Sequence, residues 1–300
     1  MGDGNDSLGA AKLKNGDSID MGAGDDSVGI MVTGDHGTPT YAALDITKLD
    51  GGAGTDTLSF GNIGTQGSTE LTLTGGGATN FENIDGTGGV DIIRGDSNAN
   101  VLRGSGGADT IYGGSGNDSL SGSTSWSSSN DSASSRQQAA NDSMGDTDDN
   151  LYGGAGDDLL IGTIGDNILD GGTGADVIYS GSGSDTVVIR SGDGSTTLAN
   201  GDVVADFSDG SDVLGMASVN FDDLTIAQGS GSYASHTLIS ITSSGEYLVI
   251  LQNITASNIT ALDFASTSTS SQTLSGTSGN NTLIGGAGND TLTTGMGNDT

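Results

Sequence analysis

The sequence has no cysteine, one proline, two histidines and only seven lysine or arginine residues among its 300. The absence of cysteine excludes disulfide bonds, thiolate zinc sites and thiol nucleophiles. The 39 acidic residues give a formal net charge of −32, and since no basic stripe offsets this charge, nucleic acid is excluded as a partner. No apolar run approaches the ~20 residues of a transmembrane segment. The start at Met1 has neither the basic nor the apolar region of a secretory signal.

Sequence signatures of common enzyme sites are also missing. His36 and His236 lie outside any HExxH motif, and the sequence contains no GxSxG, GxGxxG or GK[ST] motif. Neighbouring aspartates such as Asp157 and Asp158 resemble acid/base pairs, but calcium ligation or solvated turns explain them better because such pairs recur in one register. We therefore expect that this chain is not an enzyme.

Glycine is the most abundant residue, with 55 residues, and nearly all of the 39 acidic residues are aspartate, since the only glutamates are Glu70, Glu82 and Glu246. Collagen is excluded because it requires abundant proline and glycine at every third position. Acidity that served only solubility would use glutamate as freely as aspartate. The bias therefore indicates that a short carboxylate is needed at defined turn positions, as in metal coordination. This composition also allows disorder, but the periodicity of the sequence argues against it.

Nine-residue repeats run through much of the chain. One tandem run begins at Gly86 and reads GTGGVDIIR, GDSNANVLR, GSGGADTIY, GGSGNDSLS. A second run extends from Met144 to Val188 and reads MGDTDDNLY, GGAGDDLLI, GTIGDNILD, GGTGADVIY, SGSGSDTVV. Further units begin at Met1, Met21, Gly51, Gly276, Gly285 and Thr294. Aspartate or asparagine recurs at the sixth position and an aliphatic residue at the eighth, in a register that chance does not produce.

This pattern resembles the hemolysin-type calcium-binding (RTX) repeat family, whose nonapeptides form parallel β-helices. A single copy would be weak support because glycine and aspartate favour ordinary turns, but tandem recurrence makes the motif specific. The resemblance implies an all-β fold of parallel β-roll (RTX β-solenoid) segments with several bound Ca²⁺ ions. It also implies a secreted, extracellular or cell-surface protein, exported unfolded by a type I system and folded in a calcium-rich medium.

Each part of the repeat has a physical reason. The early glycines allow positive φ and close approach of backbone carbonyls, and the sixth-position side chain completes an oxygen cage for a hard divalent cation. The predicted metal ligands are these sixth-position residues: Asp6, Asp26, Asp56, Asp91, Asn100, Asp109, Asp118, Asp149, Asp158, Asn167, Asp176, Asp185, Asn281, Asp290 and Asp299. Substitutions at Asp222 or Asp223, outside the repeat register, are expected to have little effect on calcium binding.

The repeat also predicts how the coils stack. Two nonapeptides make one coil, and stacked coils lie roughly 4.8 Å apart, so that the sixth-position residues of repeats n and n+2 share an edge with a cation between them. The last three residues of each repeat form a short strand with its middle side chain pointing inward. Two inward aliphatic residues per coil bury too little surface to offset the entropy of ordering it. We therefore expect the repeats to fold only when calcium binds.

Shifts in register and composition divide the chain into eight predicted segments. The spacing from Asp118 to Asp149 is not a multiple of nine, which indicates an insertion between two runs. The segments are loose repeats around an irregular insertion (1–60), a strand-rich lead-in (61–85), a first β-roll run (86–121), a serine-rich mobile insertion (122–143), a second run (144–190), a capping β-region (191–264), a linker (265–273) and a third run (274–300).

The segment after the second run, GDVVADFSDGSDVLGM at 201–216, resembles the one that follows the repeats in serralysin-type proteases and related RTX proteins. The matching residues are Asp202, Asp206, Phe207, Gly210 and Asp212. Strands are predicted at Phe221–Ile226, Thr237–Thr242 and Tyr247–Leu251, the last two as a hairpin. We expect these strands to form a small sheet that caps the second run, and a structural role is favoured over a binding role.

Three roles compete for the whole protein. The multiple repeat blocks favour a structural module of an adhesin or surface-layer protein. The alternative is a folding and secretion module of an exported enzyme or toxin whose catalytic domain lies outside this chain. An ice-binding solenoid is disfavoured because the third position of the repeat varies widely.

Two further expectations concern partners and completeness. Trp126 and Arg136, in the serine-rich insertion, could contact a carbohydrate or cell-surface partner, although a simple surface loop is favoured. Because the last repeat stops at Thr300, the sequence is expected to be a piece of a longer protein, in which a C-terminal export signal would follow.

Overall fold

A computed structural model of the chain describes residues 1–11, 18–30, 49–60, 69–72, 80–123, 136, 148–268, 273–285, 287, 289–293 and 295–298. Their regular structure is almost entirely β-strand, interrupted by four three-residue 3-10 helices at Leu198–Asn200, Phe221–Asp223, Gly231–Tyr233 and Ala261–Asp263. The all-β prediction is confirmed. The stretch around His36, Trp126 with most of the serine-rich insertion, and Asp299 lie outside the described residues.

Twelve strands form sheet I, and strand labels follow chain order. In sheet order they are β1 (Ser7–Ala11), β3 (Ser27–Ile30), β5 (Thr57–Phe60), β7 (Asn83–Asp85), β9 (Val101–Ser105), β11 (Ser119–Ser123), β13 (Leu159–Ile161), β15 (Val177–Tyr179), β17 (Asp202–Val204), β21 (Tyr247–Leu251), β20 (Thr237–Ile241) and β19 (Leu224–Gln228). All neighbours from β1 to β21 pair in parallel, whereas β21, β20 and β19 pair antiparallel. The antiparallel β20–β21 pair is the hairpin predicted from the sequence.

Eight parallel strands form sheet II. In sheet order they are β6 (Thr69–Thr72), β8 (Asp91–Arg94), β10 (Thr110–Ser115), β12 (Asn150–Ala155), β14 (Ile168–Thr173), β16 (Thr186–Arg190), β18 (Val213–Ala217) and β22 (Phe264–Ser266). Two small parallel pairs complete the described strands: β2 (Ile19–Asp20) with β4 (Leu49–Asp50), and β23 (Thr273–Ser275) with β24 (Thr291–Thr293).

From β7 to β18 the chain alternates between the two sheets, which is the winding of a β-roll. Leu102 pairs with Leu120 in sheet I, and Ile93 pairs with Ile111 in sheet II, so that two nonapeptides make one coil as predicted. The eighth-position side chains point inward and are fully buried in one row between the sheets: Val28, Leu58, Ile93, Leu102, Ile111, Leu120, Leu151, Leu160, Leu169, Ile178 and Val187. This row is the hydrophobic core.

The two tandem runs stack directly on each other. Ile111 of β10 pairs with Leu151 of β12, and Leu120 of β11 pairs with Leu160 of β13. On the outer face of sheet II, the Tyr112 and Tyr152 rings stack across the same junction with centroids 5.0 Å apart. The residues between β11 and β12 therefore interrupt the sequence repeat without interrupting the roll.

The strands after the repeats continue the roll. Strand β17 pairs with β15 in sheet I, β18 pairs with β16 in sheet II, and the β21–β20–β19 unit extends sheet I. The capping strands thus belong to sheet I and do not form a separate sheet. None of the helices in the described part of the chain is long and apolar enough to cross a membrane.

Candidate metal sites

The sixth-position residues form a ladder along one edge of each sheet, as the coil geometry predicts. On the sheet I edge, the backbone N–H of Asp26 donates to Asp56 Oδ1 (2.7 Å), and that of Asp158 donates to Asp176 Oδ1 (2.8 Å). On the sheet II edge, the N–H of Asn167 donates to Asp185 Oδ1 (2.8 Å). The same bond links Asp6 to Asp26, Asn100 to Asp118, Asp118 to Asp158, Asp91 to Asp109, Asp109 to Asp149 and Asp149 to Asn167. Each side chain is therefore held by the preceding coil.

The second carboxylate oxygen of many ladder aspartates is buried without a hydrogen-bond partner. Six residues show this at Oδ2: Asp26, Asp56, Asp118, Asp158, Asp176 and Asp185. These side chains are at most 2% exposed, so that water does not solvate them. A buried carboxylate oxygen without a partner is costly, and a bound cation is one group that would compensate for it.

Backbone carbonyls converge on the same points. A Cβ atom built on Gly113 would lie 2.5 Å from Asp118 Oδ2 and 2.5 Å from the carbonyl oxygen of Gly153 in the next coil. A Cβ on Gly153 would likewise meet Asp158 Oδ2 and the Gly171 carbonyl oxygen. The missing Cβ thus leaves a space lined by hard oxygen atoms from two coils, the ligand type that Ca²⁺ takes.

Side chains alone do not make these sites. Among the described residues, no three Asp, Glu, His or Cys side chains gather around one point. The fit to a cation therefore depends on backbone carbonyls, whose placement requires the glycines of the repeat.

The buried carboxylates are poorly suited to carry an uncompensated charge. Burial raises the pKa of Asp118, Asp176 and Asp185 to about 7 and that of Asp158 to about 6. Neighbouring carboxylates raise the pKa further, for example Asp158 beside Asp118, while the backbone hydrogen bonds of the ladder lower it. The negative charge is therefore disfavoured in the calcium-free roll.

We expect acid to stabilise the calcium-free fold. Because the folded pKa values of about 6 to 7 exceed the ordinary value of 3.8, the stabilisation is fully present below about pH 4 and is lost as the pH rises through about 7. Calcium binding requires the deprotonated form, so calcium affinity should fall in the opposite direction, as the pH drops below about 6. Circular dichroism in EDTA and calcium titrations, both across this range, measure the two trends. More β structure in EDTA at pH 8 than at pH 5 would contradict this expectation.

Three acidic residues outside the predicted ligands continue the ladders. The N–H of Asp56 donates to Glu82 Oε2 (2.8 Å). The N–H of Asp176 donates to Asp202 Oδ1 (3.1 Å), and that of Asp185 donates to Asp212 Oδ1 (3.2 Å). Sequence reasoning missed all three as ladder members, although each is followed after one residue by an aliphatic residue, the spacing that relates positions six and eight of the repeat.

A second ladder, at the fifth position of the repeat, was also missed. The N–H of Ala175 donates to Asp157 Oδ1 (3.0 Å), and that of Ser184 donates to Asp166 Oδ1 (2.8 Å). These bonds run from a coil to the preceding one, opposite to those of the sixth position. Adjacent aspartates at the fifth and sixth positions thus connect each turn by hydrogen bonds to the coils before and after it. These bonds explain why the aspartate pairs recur, without any acid/base chemistry.

The ligands predicted near the C-terminus are placed differently. Asp290 Oδ2 lies 2.5 Å from a Cβ built on Gly285, as in the main roll. The Asn281 side-chain amide donates to Asp222 Oδ2 (2.8 Å), and the N–H of Thr282 donates to Asp222 Oδ1 (3.1 Å). Asp222 therefore contacts a repeat from outside the register, which leaves Asp223 as the better control residue.

Comparison with known families supports the repeat assignment. A family model for the RTX calcium-binding nonapeptide repeat (4 copies) matches residues 48–62, 85–120, 145–177, 152–187, 161–195 and 267–300. The matched segments are RTX nonapeptide repeats, and their ion is Ca²⁺. The matches leave 196–266 uncovered, so the resemblance of 201–216 to serralysin-type proteins stays a prediction. A search of curated proteins found no match.

Solved structures that resemble the chain include the extracellular lipase LipA from Serratia marcescens, at 17% sequence identity. The alignment covers 71% of this chain and 45% of the lipase, so that the chain spans less than half of that protein. The TM-score is 0.28, and the superposition carries no argument about the sites.

Proposed function

We propose that this chain, through its RTX repeats, is a calcium-dependent folding scaffold of a secreted protein. The observation that carries the proposal is the set of buried carboxylate oxygens without partners, which face backbone carbonyls of the next coil. Bound Ca²⁺ would supply the positive charge that allows these carboxylates to be buried while ionised. Folding and calcium binding are then one equilibrium.

We propose that the side-chain ligands come from the sixth position of the repeat, with first-position glycine carbonyls as partners. Asp118, Asp158 and Asp176 have the best support because each combines a ladder bond with an unpartnered buried oxygen. Glu82 and Asp202 extend this assignment beyond the residues that the repeat predicts, since their side chains accept the ladder bonds of Asp56 and Asp176.

Replacing Asp176 with alanine should raise the calcium midpoint of folding by about 3- to 10-fold, because the site loses a charged ligand. Asp176 lies inside the roll and is fully buried, and the substitution also removes the acceptor for the Asp158 N–H. Calcium titration followed by circular dichroism measures the midpoint.

Asp223→Ala is the matched control, since the Asp223 side chain accepts a hydrogen bond from Asn220 three residues away (2.9 Å) and lies outside both ladders. Its calcium midpoint should match that of the unmodified chain. Equal shifts for Asp176→Ala and Asp223→Ala would show that the ligand assignment is wrong.

We propose a structural role in an adhesin or surface-layer protein, because the described coils form one long, regularly laced roll. The alternative is the folding and secretion module of an exported RTX enzyme or toxin, whose catalytic domain would lie outside these residues.

The pattern of paired aspartates supports the view that the chain itself supplies no catalytic function. Screening the calcium-folded 300-residue chain for hydrolysis of casein, esters and glycosides tests this view, and turnover abolished by substituting one residue of this chain would contradict it.

A further inference from the structure

The turns of the repeats fall into two conformations, which differ at the second residue. In the first, called here the open turn, the second residue has positive φ and its N–H does not reach the sixth-position side chain. Six open turns combine a glycine at position two with an aspartate at position six, and these glycines, with φ between +92° and +112°, are Gly22, Gly52, Gly114, Gly154, Gly172 and Gly181. These turns contain the six aspartates, Asp26, Asp56, Asp118, Asp158, Asp176 and Asp185, whose Oδ2 atoms are buried and unpartnered.

In the second conformation, called here the closed turn, the second residue donates its N–H to the sixth-position side chain. The N–H of Thr87 donates to Asp91 Oδ2 (2.6 Å), and that of Asp96 donates to Asn100 Oδ1 (2.9 Å). The same bond joins Gly2 to Asp6, Ser208 to Asp212 and Thr277 to Asn281. None of these five second residues has positive φ.

Side chains at the second position stabilise the closed turn. The Thr87 hydroxyl donates to Asp91 Oδ2 (2.9 Å) and accepts the N–H of Gly89 (3.1 Å). Asp96 Oδ1 accepts the N–H of Asn98 (2.7 Å). A local hydrogen-bond network therefore supplies the donors that the open turn lacks.

The amino acids at position six fit this division. Two of the five closed turns have asparagine there, at Asn100 and Asn281, whereas among the described open turns only that of Asn167 has it. Where the second-position N–H donates to the sixth-position oxygen, a neutral asparagine side chain is sufficient. Where no N–H reaches that oxygen, a carboxylate can instead bind a cation.

We propose that the closed turns, at Asp6, Asp91, Asn100, Asp212 and Asn281, hold their sixth-position side chains with a backbone N–H in place of a calcium ion, and that only the open turns take Ca²⁺. The inference rests on the proposed function and narrows it, because the sixth-position residues are then not equivalent. The closed turns therefore do not need calcium for their stability.

Asn167 supplies an internal comparison within the open class. Its second residue, Thr163, has φ +69°, but the Asn167 Nδ2 group donates to the Gly165 carbonyl oxygen (3.2 Å) and to Asp185 Oδ1 (3.1 Å). Here the N–H groups of the Asn167 side-chain amide take the place that we assign to a cation in the other open turns. This turn, too, is satisfied without an ion.

The test compares Asp91→Asn with Asp176→Asn in the full 300-residue chain. Both variants remove one buried carboxylate and keep one oxygen, but Asp91 lies in a closed turn and Asp176 in an open turn. Bound calcium per chain, measured at saturation by equilibrium dialysis, and the calcium midpoint from circular dichroism are the readouts. Asp91→Asn should bind the same number of ions with a midpoint within about twofold of the unmodified chain, whereas Asp176→Asn should bind at least one ion fewer.

Loss of an ion in Asp91→Asn, equal to that in Asp176→Asn, would overturn the division into two turn types and leave the proposed function intact. An unmodified chain that binds no calcium would overturn the proposed function and this inference with it. Retention of all ions in Asp176→Asn would overturn the assignment of the open turn as the ion-binding one.

Discussion

In EDTA at neutral pH, the chain should lose most of its β-sheet signal in circular dichroism, and millimolar calcium should restore it in one cooperative transition. The core between the sheets is a single row of aliphatic side chains, which cannot by itself offset the entropy of ordering the coils. The open-turn aspartates add unpartnered oxygens and mutual repulsion until a cation binds. The millimolar range is typical of extracellular calcium modules.

Magnesium should restore the signal poorly, because it requires a smaller octahedral cage and keeps its waters. This control separates specific coordination from general screening of a net charge of −32, since general screening by a divalent ion would act equally with either metal. A chain that is fully folded in EDTA at neutral pH would contradict the expectation.

Replacing Gly174 with alanine should prevent folding of the central coils at any accessible calcium concentration. Gly174 has φ +147°, and an added Cβ would overlap the Gly156 carbonyl oxygen and lie 2.6 Å from its carbonyl carbon. Strained φ and overpacking against the backbone together cost about 2 to 5 kcal/mol. The β signal at saturating calcium is the measurement.

Gly4→Ala is the matched control for this substitution. Gly4 holds the same fourth position of its repeat with φ +109°, but nothing lies within 4 Å of an added Cβ. It therefore shares the backbone strain without the clash, and we expect a loss of only about 1 to 2 kcal/mol. Equal effects of the two substitutions would show that coil-to-coil packing at the fourth position does not limit stability.

The roll was predictable because the repeat encodes it locally. In units with the full motif, positive-φ glycines, a sixth-position carboxylate and an eighth-position aliphatic residue set the turn, the edge and the core. The pairing of Leu102 with Leu120 follows from the count of nine alone. The spacing also predicted that sixth-position residues of alternate repeats, which lie in successive coils, share an edge, and the ladder bonds confirm this.

Other features depend on contacts that the repeat does not encode. Glu82 and Asp202 reach the ladder from segments without the glycine pattern, and only the stacking of coils reveals their position. The closed turns share the sixth-position residue with the open ones. Second-position identity separates them only in part, since Ser105 adopts positive φ (+86°) where Thr87 does not. The Ser105 hydroxyl donates to the Gly86 carbonyl oxygen of the preceding coil (3.2 Å), a contact that the nonapeptide pattern does not encode.

The most direct test of calcium as the missing partner of the buried carboxylates is a crystal structure of the chain grown in calcium. We predict an ion between neighbouring coils, bound by Asp118 Oδ2 and the Gly153 carbonyl oxygen, at calcium-to-oxygen distances of about 2.3 to 2.6 Å. A folded roll in saturating calcium with no ion between these two oxygen atoms would contradict the account.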